Sequence, residues 1–353
     1  MFQIVAIIIC MKTIQFISSG FNISKTSAHI TGSAYYRCLV PTRELTSMNI
    51  DCNIYDWFYA GPDGLISAVE SNGKVLDPRD VVIFQGFYNK DLPNLISKAR
   101  AAGQIIYIDI DDLMDDIDRT SPAYEGSKGN ENWGRRFLPL IARSASGIIT
   151  TNRFLANQLS VYNKNVIIID NYIDIDYRWD LASSLPKTVG WIGNSSWRIN
   201  DVSIIGKFSK EIIDNQWKVI HGGEGPEKFK ILSGINIFEH RPMADVFSYP
   251  DLFEGVGVGL VPLAMTPFNK AKSALKGLEF GACGIPYLVS PIPAYSDLLG
   301  ENSNFICRTP DEFASKLSIL EDEDTRNEWG SEARRITESH SIKIGIKNWL
   351  DLL

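Results

Sequence analysis

Residues 267–293 read PFNKAKSALKGLEFGACGIPYLVSPIP, and this stretch decides the fold. Lys270, Lys272 and Lys276 surround the expected start of a helix over Lys272 to Ala282. Gly281, Gly284 and Pro286 end that helix in a tight turn, and the apolar run Tyr287 to Ser290 then has strand length. Helix, glycine turn and strand make half of a βαβ unit, and the same rhythm runs outward in both directions. Upstream in this half, strands are predicted at Thr188 to Ile192, Trp217 to His221, Ile235 to Phe238 and Val256 to Pro262, and downstream at Phe305 to Cys307. Helices are predicted at Ile199 to Asn215, Met243 to Leu252 and Pro310 to Glu321.

The first half repeats the pattern. Strands are predicted at Thr13 to Ser18, Cys52 to Tyr59, Val81 to Gln85, Ile105 to Ile110, Gly147 to Thr150 and Asn165 to Ile169. Between them, Tyr35 to Ser47, Lys90 to Ala102, Trp133 to Ser144 and Arg153 to Tyr162 have helical spacing. The polar stretch from Asp170 to Lys187 interrupts the alternation. The chain therefore divides into an α/β domain over 1–172, a linker over 173–186 and a second α/β domain over 187–340, with 341–353 packing back onto the first. Residues 1–10 read as an extension or an extra edge strand. Ligands in such sheets sit beyond the carboxyl ends of the strands, so two Rossmann-like domains place a cleft between them.

Composition fits this reading. The 353 residues are 44% hydrophobic and 22% charged, which excludes disordered and collagen-like chains. Lys plus Arg at 35 against Asp plus Glu at 42 gives a net charge of −7, which disfavours an overall polyanion-binding surface. Five cysteines form no CxxC pair or metal-spaced cluster, so reduced thiols and a cytoplasmic setting are expected. The apolar opening Phe2 to Cys10 is too short to span a bilayer and lacks a basic n-region, so no transmembrane or signal segment is expected. Four histidines without ligand spacing give no metal site, and there is no P-loop, GxSxG elbow or GxGxxG after the first strand.

The chemistry concentrates in the opening stretch. A helix start already favours an anion through its free N–H groups and dipole, and three lysines around it suit a phosphate. Glu279, inside that helix, can accept hydrogen bonds from a ribose diol. The competing reading is a solvated helix face. VGWIGNSSWRIND, residues 189–201, is a strand running into a small-residue loop, where the N–H groups of Gly193, Asn194 and Ser195 can approach a phosphate and Arg198 adds charge. In YIDIDDLMDD, residues 107–116, carboxylates cluster at a strand end. Asp111 and Asp112 there can orient an acceptor hydroxyl, or form a helix cap, or act with Asp109 as a cation-binding DxD. Residues 18–41 are rich in Gly, Ser and Thr and open a helix with Tyr35, Tyr36 and Arg37.

The segment Glu279, Phe280, Gly281, Ala282, Cys283, Gly284, Ile285, Pro286 resembles the Glu-x-x-x-x-Gly-x-Pro pattern of retaining GT-B glycosyltransferases of the family 4 or group 1 type. Phe268, Asn269, Ala271, Lys272, Ser273, Lys276 and Leu278 are similar to a variant of that pattern. The family usually carries a second glutamate where this chain has Ala271. HGGEGPEKF (221–229) and EHRPMADVFSYPDLFEGVGVGLVPL (239–263) resemble further segments of the family in order and spacing.

The resemblance implies a GT-B fold and transfer of a sugar from a nucleoside diphosphate donor to an acceptor hydroxyl, with retention and with neither metal nor other cofactor. It implies donor contacts at Gly193, Asn194, Ser195, Arg241, Met243, Phe268, Asn269, Ser273, Lys276 and Glu279. Lys272, Arg198, Asp111 and Asp112 are the catalytic candidates, and Gly32, Tyr36 and Arg37 line the acceptor or phosphate side. A surface or lipid-linked glycan is the expected acceptor, with a peripheral position at the inner membrane as an option. Hydroxymethylated pyrimidines in phage DNA are the alternative. A nucleotide-sugar epimerase and a non-catalytic sugar-nucleotide binder are the rivals from other classes.

Overall fold

The computed structural model describes residues 13–23, 28–113, 133–177 and 179–353. The expected extension at 1–10, with Cys10, and Asp115 and Asp116 of the acidic stretch lie outside these ranges. Fifteen strands are described: β1 (Ile14–Ser18), β2 (Phe21–Ile23), β3 (Ala28–Ile30), β4 (Cys52–Tyr55), β5 (Trp57–Ala60), β6 (Ile66–Val69), β7 (Val81–Gln85), β8 (Ile105–Ile110), β9 (Gly147–Thr150), β10 (Val166–Ile168), β11 (Thr188–Ile192), β12 (Lys218–Gly222), β13 (Glu239–Arg241), β14 (Val258–Val261) and β15 (Tyr287–Val289). The first lobe holds a six-stranded sheet in the order β10-β9-β8-β7-β1-β4, and the second a five-stranded sheet in the order β13-β12-β11-β14-β15. Every pairing in both sheets is parallel. Parallel sheets need both faces covered, which is why β1, β7, β9, β11 and β14 are buried along their whole length.

Among the described residues the elements depart from expectation in several places. The run expected as one strand over Cys52 to Tyr59 divides at Asp56: β4 stays in the sheet, while β5 leaves it to pair antiparallel with β6. Trp57 and Tyr59 are exposed, so alternation in β5 marks a hairpin rather than a buried strand. Pairing expected over Ile235 to Phe238 begins only at Glu239, and Ile237 is 90% exposed. Between Pro242 and Pro250 the expected helix over Met243 to Leu252 is replaced by a single 3₁₀ segment at Tyr249–Phe253. Phe305 to Cys307 contributes one bridge, Val289 to Ile306. The expected helix from Lys272 starts at Leu275, because Pro267–Lys270 forms its own short turn, capped by the Thr266 side chain. Helices at Pro226–Ser233, Pro293–Leu299 and Glu323–Glu338 were not signalled by the pattern.

The chain end ties the lobes together. The helix Ile342–Leu350 lies against the first lobe, where Trp349 meets Phe16 edge to face at 5.4 Å. Beside it the connecting segment is pinned by Ile173 N–H donating to His340 O at 3.1 Å and Ile342 N–H donating to Ile173 O at 2.9 Å. Among the described residues Cys38, Cys52, Cys283 and Cys307 are free thiols, and no helix is long and apolar enough to cross a membrane.

Candidate functional site

A cavity of about 410 Å³ opens between the lobes at the carboxyl ends of both sheets. Asp111 and Asp112 follow β8, Gly193 and Asn194 follow β11, and Pro262 follows β14 into its wall. Gly32, Ser33 and Tyr36 enter from the first helical segment, and Lys272, Ser273, Lys276 and Glu279 from the stretch that opened the sequence reading. Lys270 is not part of the lining.

The cationic wall is built on Phe268. Its ring lies 4.3 Å from the Lys272 ammonium and 5.6 Å from the Arg198 guanidinium, so one aromatic ring steadies two cations. Asn269 beneath it is buried, accepting from Arg198 Nη1 at 3.3 Å and donating to Asp201 Oδ1 at 2.7 Å. Burial pulls the Lys272 ammonium below the usual lysine range, against Asp112, with which it forms an ion pair across the cleft. Lys272 therefore sits just before the helix Leu275–Ala282, whose first N–H groups have no partner within the helix.

Glu279 is the hub of the other wall. Its side chain is 4% exposed and receives Lys276 Nζ at 2.6 Å, Tyr36 Oη–H at 3.0 Å and Tyr249 Oη–H at 3.4 Å. Burial lowers the Lys276 ammonium, but Glu279 and the adjoining Tyr249 outweigh it and hold the group above its ordinary value. Burial, then Glu279, pushes the Tyr36 phenol up. Tyr36 comes from the first lobe. Two further bonds cross the cleft here: Asn171 Nδ2–H donates to Ser273 Oγ at 2.9 Å, and Asn152 Nδ2–H donates to Ala271 O at 2.6 Å.

On the first-lobe side Asp111 is held up at about 6 by burial and by the neighbouring Asp112 and Asp109 carboxylates. Asp109 itself points away from the cavity. Its carboxylate is paired with Arg37, both side chains 0% exposed, at 2.7 Å.

Several expected contacts are placed elsewhere. Arg37 does not line the cavity: it donates to Asp109, to Ile169 O at 2.6 Å and to Asn171 Oδ1 at 3.1 Å, and lies 5.2 Å over the Trp349 ring. All three nitrogens of this buried guanidinium are thereby bonded within the core. A DxD cation site made of Asp109 and Asp111 is disfavoured for the same reason. Gly193 and Ser195 cannot offer their N–H groups to a phosphate, since these donate to Gly222 O at 2.8 Å and Glu224 O at 2.9 Å. Gly223, at φ +117°, permits that approach, because a Cβ there would stand 2.0 Å from Gly193 O. Arg241 is held away from the cavity by Glu239 at 2.6 Å and Leu252 O at 3.1 Å, whereas Met243 lines it. Phe268 and Asn269 act behind the lining rather than in it.

Sequence reasoning passed over Tyr249, Asn171 and Asn152. Asn152 carried one signal, as the residue before the helix Arg153–Leu159, which its side chain caps. Tyr249 opens the 3₁₀ segment inside the 239–263 stretch, which was read for Arg241 and Met243, and Asn171 lies in the polar stretch that interrupts the alternation.

Comparison with known proteins agrees with this architecture. Residues 204–351 match the family described as Glycosyl transferase-like. In sequence no curated protein matches the chain. HepE of Anabaena, solved with UDP and glucose, is 14% identical with a TM-score of 0.61, covering 97% of this chain and 99% of its own. The T4 phage β-glucosyltransferase is 15% identical with a TM-score of 0.56, covering 96% and 98%. TarM of S. aureus is 16% identical with a TM-score of 0.55 over 81% of this chain, which spans 63% of TarM's length. The fold is that of the GT-B glycosyltransferases, as the sequence resemblance implied.

Proposed function

We propose that this GT-B protein is a glycosyltransferase that moves a sugar from a nucleoside diphosphate donor to an acceptor hydroxyl, with retention and through protein cations rather than a metal. The observation that carries it is the convergence of Lys272, Lys276 and Arg198 on a cavity at the carboxyl ends of two facing parallel sheets. The bond from the anomeric carbon to the diphosphate oxygen breaks, and a bond from that carbon to the acceptor oxygen forms. Negative charge grows on the departing oxygen. Lys272 and Arg198, already fixed on Phe268, stabilise it more in the transition state than in the ground state. Glu279 receives the ribose hydroxyls once Tyr36 or Tyr249 yields its place. Asp111 and Asp112 orient the acceptor hydroxyl, whose proton passes to the departing phosphate oxygen.

The donor replaces Asp112 as the partner of Lys272, so binding and cleft rearrangement are coupled. A glycan or lipid-linked glycan acceptor fits the reaction. Purified protein incubated in EDTA with a panel of UDP-, GDP- and ADP-sugars should release nucleoside diphosphate from one of them. Turnover that disappears with the chelator and returns with a divalent cation would overturn the metal-free reading. An acceptor panel that includes hydroxymethylated DNA separates the acceptor classes.

A further inference from the structure

The imidazole of His221, on β12, is 0% exposed and takes no part in the chemistry above. It is boxed by aromatic rings: stacked on Trp191 at 5.5 Å with planes 13° apart, and 4.8 Å from Phe229. Trp191 is part of the cavity wall, and Gly193 rests on its ring, where an added Cβ would stand 3.0 Å from it. His221 Nε2 lies 2.7 Å from Oγ of Ser195, which is likewise 0% exposed. His221 Nδ1 lies 3.1 Å from His240 Nδ1.

His240 Nδ1 is also 3.3 Å from the carbonyl oxygen of His221. The Ser195 hydroxyl can answer His221 Nε2 as donor or as acceptor, so the bond between them forms with either tautomer of the ring.

We propose that His221 is a positioning residue of the donor site: through the hydrogen bond between its Nε2 and Ser195 Oγ and through its stack on Trp191 it fixes the 193–198 loop that carries Arg198 to the cavity. The inference rests on the donor reading of that cavity. Ser195 is the midpoint of the loop, with Asn194 Oδ1 turning it by accepting from Ser196 N–H at 3.0 Å. Held at both its floor and its midpoint, the loop delivers Arg198 beside Asn269 and Phe268. The ring stays neutral in mild acid, because burial and then His240 push the imidazole down to about 4. Facing His221 from the packed elements are Trp191 and Ser195, Phe229 and Phe238, and His240, the one titratable group among them.

Two readouts test it, one of which needs no donor. Limited trypsinolysis, followed by mass spectrometry, measures cleavage after Arg198. Ser195→Ala and His221→Phe should each speed that cleavage by about fivefold, the value of one buried hydrogen bond, while His221→Gln, whose amide can still bond the Ser195 hydroxyl, restores it in part. In kinetics or UDP titration the first two variants should raise donor KM or the UDP dissociation constant by about fivefold with kcat changed less. If His221→Phe does not fold, Ser195→Ala alone decides. Unchanged cleavage after Arg198 in Ser195→Ala overturns the positioning role. A parent protein that binds neither UDP nor any nucleotide sugar, yet shows the altered cleavage, overturns the donor reading and leaves the loop anchor standing.

Discussion

Replacing Lys272 by alanine separates chemistry from stability, because the two costs differ in size. Its side chain is 18% exposed, in a cavity where a fixed charge acts through less water than at the surface. Loss of one preorganised group facing a developing charge costs about 2.7–4 kcal/mol, so kcat for donor cleavage should fall by roughly 10²–10³-fold. The folded state loses much less. The abandoned partner, Asp112, is 35% exposed and recovers water, so the cost lies near the ~1 kcal/mol of an accessible pair rather than the ~3–5 kcal/mol of a buried one. A thermal melt should therefore drop by only about 2–4 °C. Asp112→Asn gives the opposite sign for the donor: it frees the ammonium from its competitor, and donor KM should fall. The assay is nucleoside diphosphate release from the preferred sugar donor in EDTA, with melts run in parallel. Lys272→Ala with kcat within threefold of the parent and an unshifted melt would refute the assignment of leaving-group stabilisation to this residue.

Asp111, held at about 6, should give kcat/KM an acid limb near that pH, absent from Asp111→Asn, whose residual rate should be flat. Its raised value means the folded chain holds that proton more tightly than the unfolded chain. The associated stability is complete below about pH 4 and lost as pH rises through 6, so Asp111→Asn should melt higher than the parent at pH 7.5, by about 1–3 kcal/mol, and no higher at pH 4. Glu279→Gln keeps one acceptor oxygen for the two tyrosines Tyr36 and Tyr249 and leaves Lys276 without its carboxylate; UDP calorimetry should show about tenfold weaker binding, against an unchanged affinity if ribose is held elsewhere. Arg37→Ala strands Asp109 in the core and should cost about 3–5 kcal/mol in chemical denaturation; a soluble variant of parental stability would contradict the buried-pair assignment.

The architecture was legible because parallel sheets write themselves as uninterrupted apolar runs. β7, β9 and β11 are buried at every position, and no competing structure gives so many short apolar runs separated by amphipathic helices. Where periodicity weakens, the sequence loses force: β13 lies at a sheet edge with Glu239 exposed, and its bounds depend on which backbone groups β12 offers rather than on its own residues. The site divides along the same line. Lys272, Lys276 and Glu279 were readable because they belong to one segment, and local spacing fixes their mutual position. Arg37 was misplaced because its fate is decided 72 residues away by Asp109 and 132 residues away by Ile169 O, neither of which leaves a mark beside it. The same reasoning explains why the loop after β11 was only half understood. A glycine and serine loop after a strand suggests free N–H groups, but Gly222 O at the end of β12 and Glu224 O just beyond it consume those of Gly193 and Ser195. What the loop adds to the cavity wall is Asn194 and, at its end, Arg198. On the proposed donor reading, the reach of that guanidinium toward an anion depends on the packing of Trp191 and His221 beneath it, so the aromatic floor and the charge act as one unit.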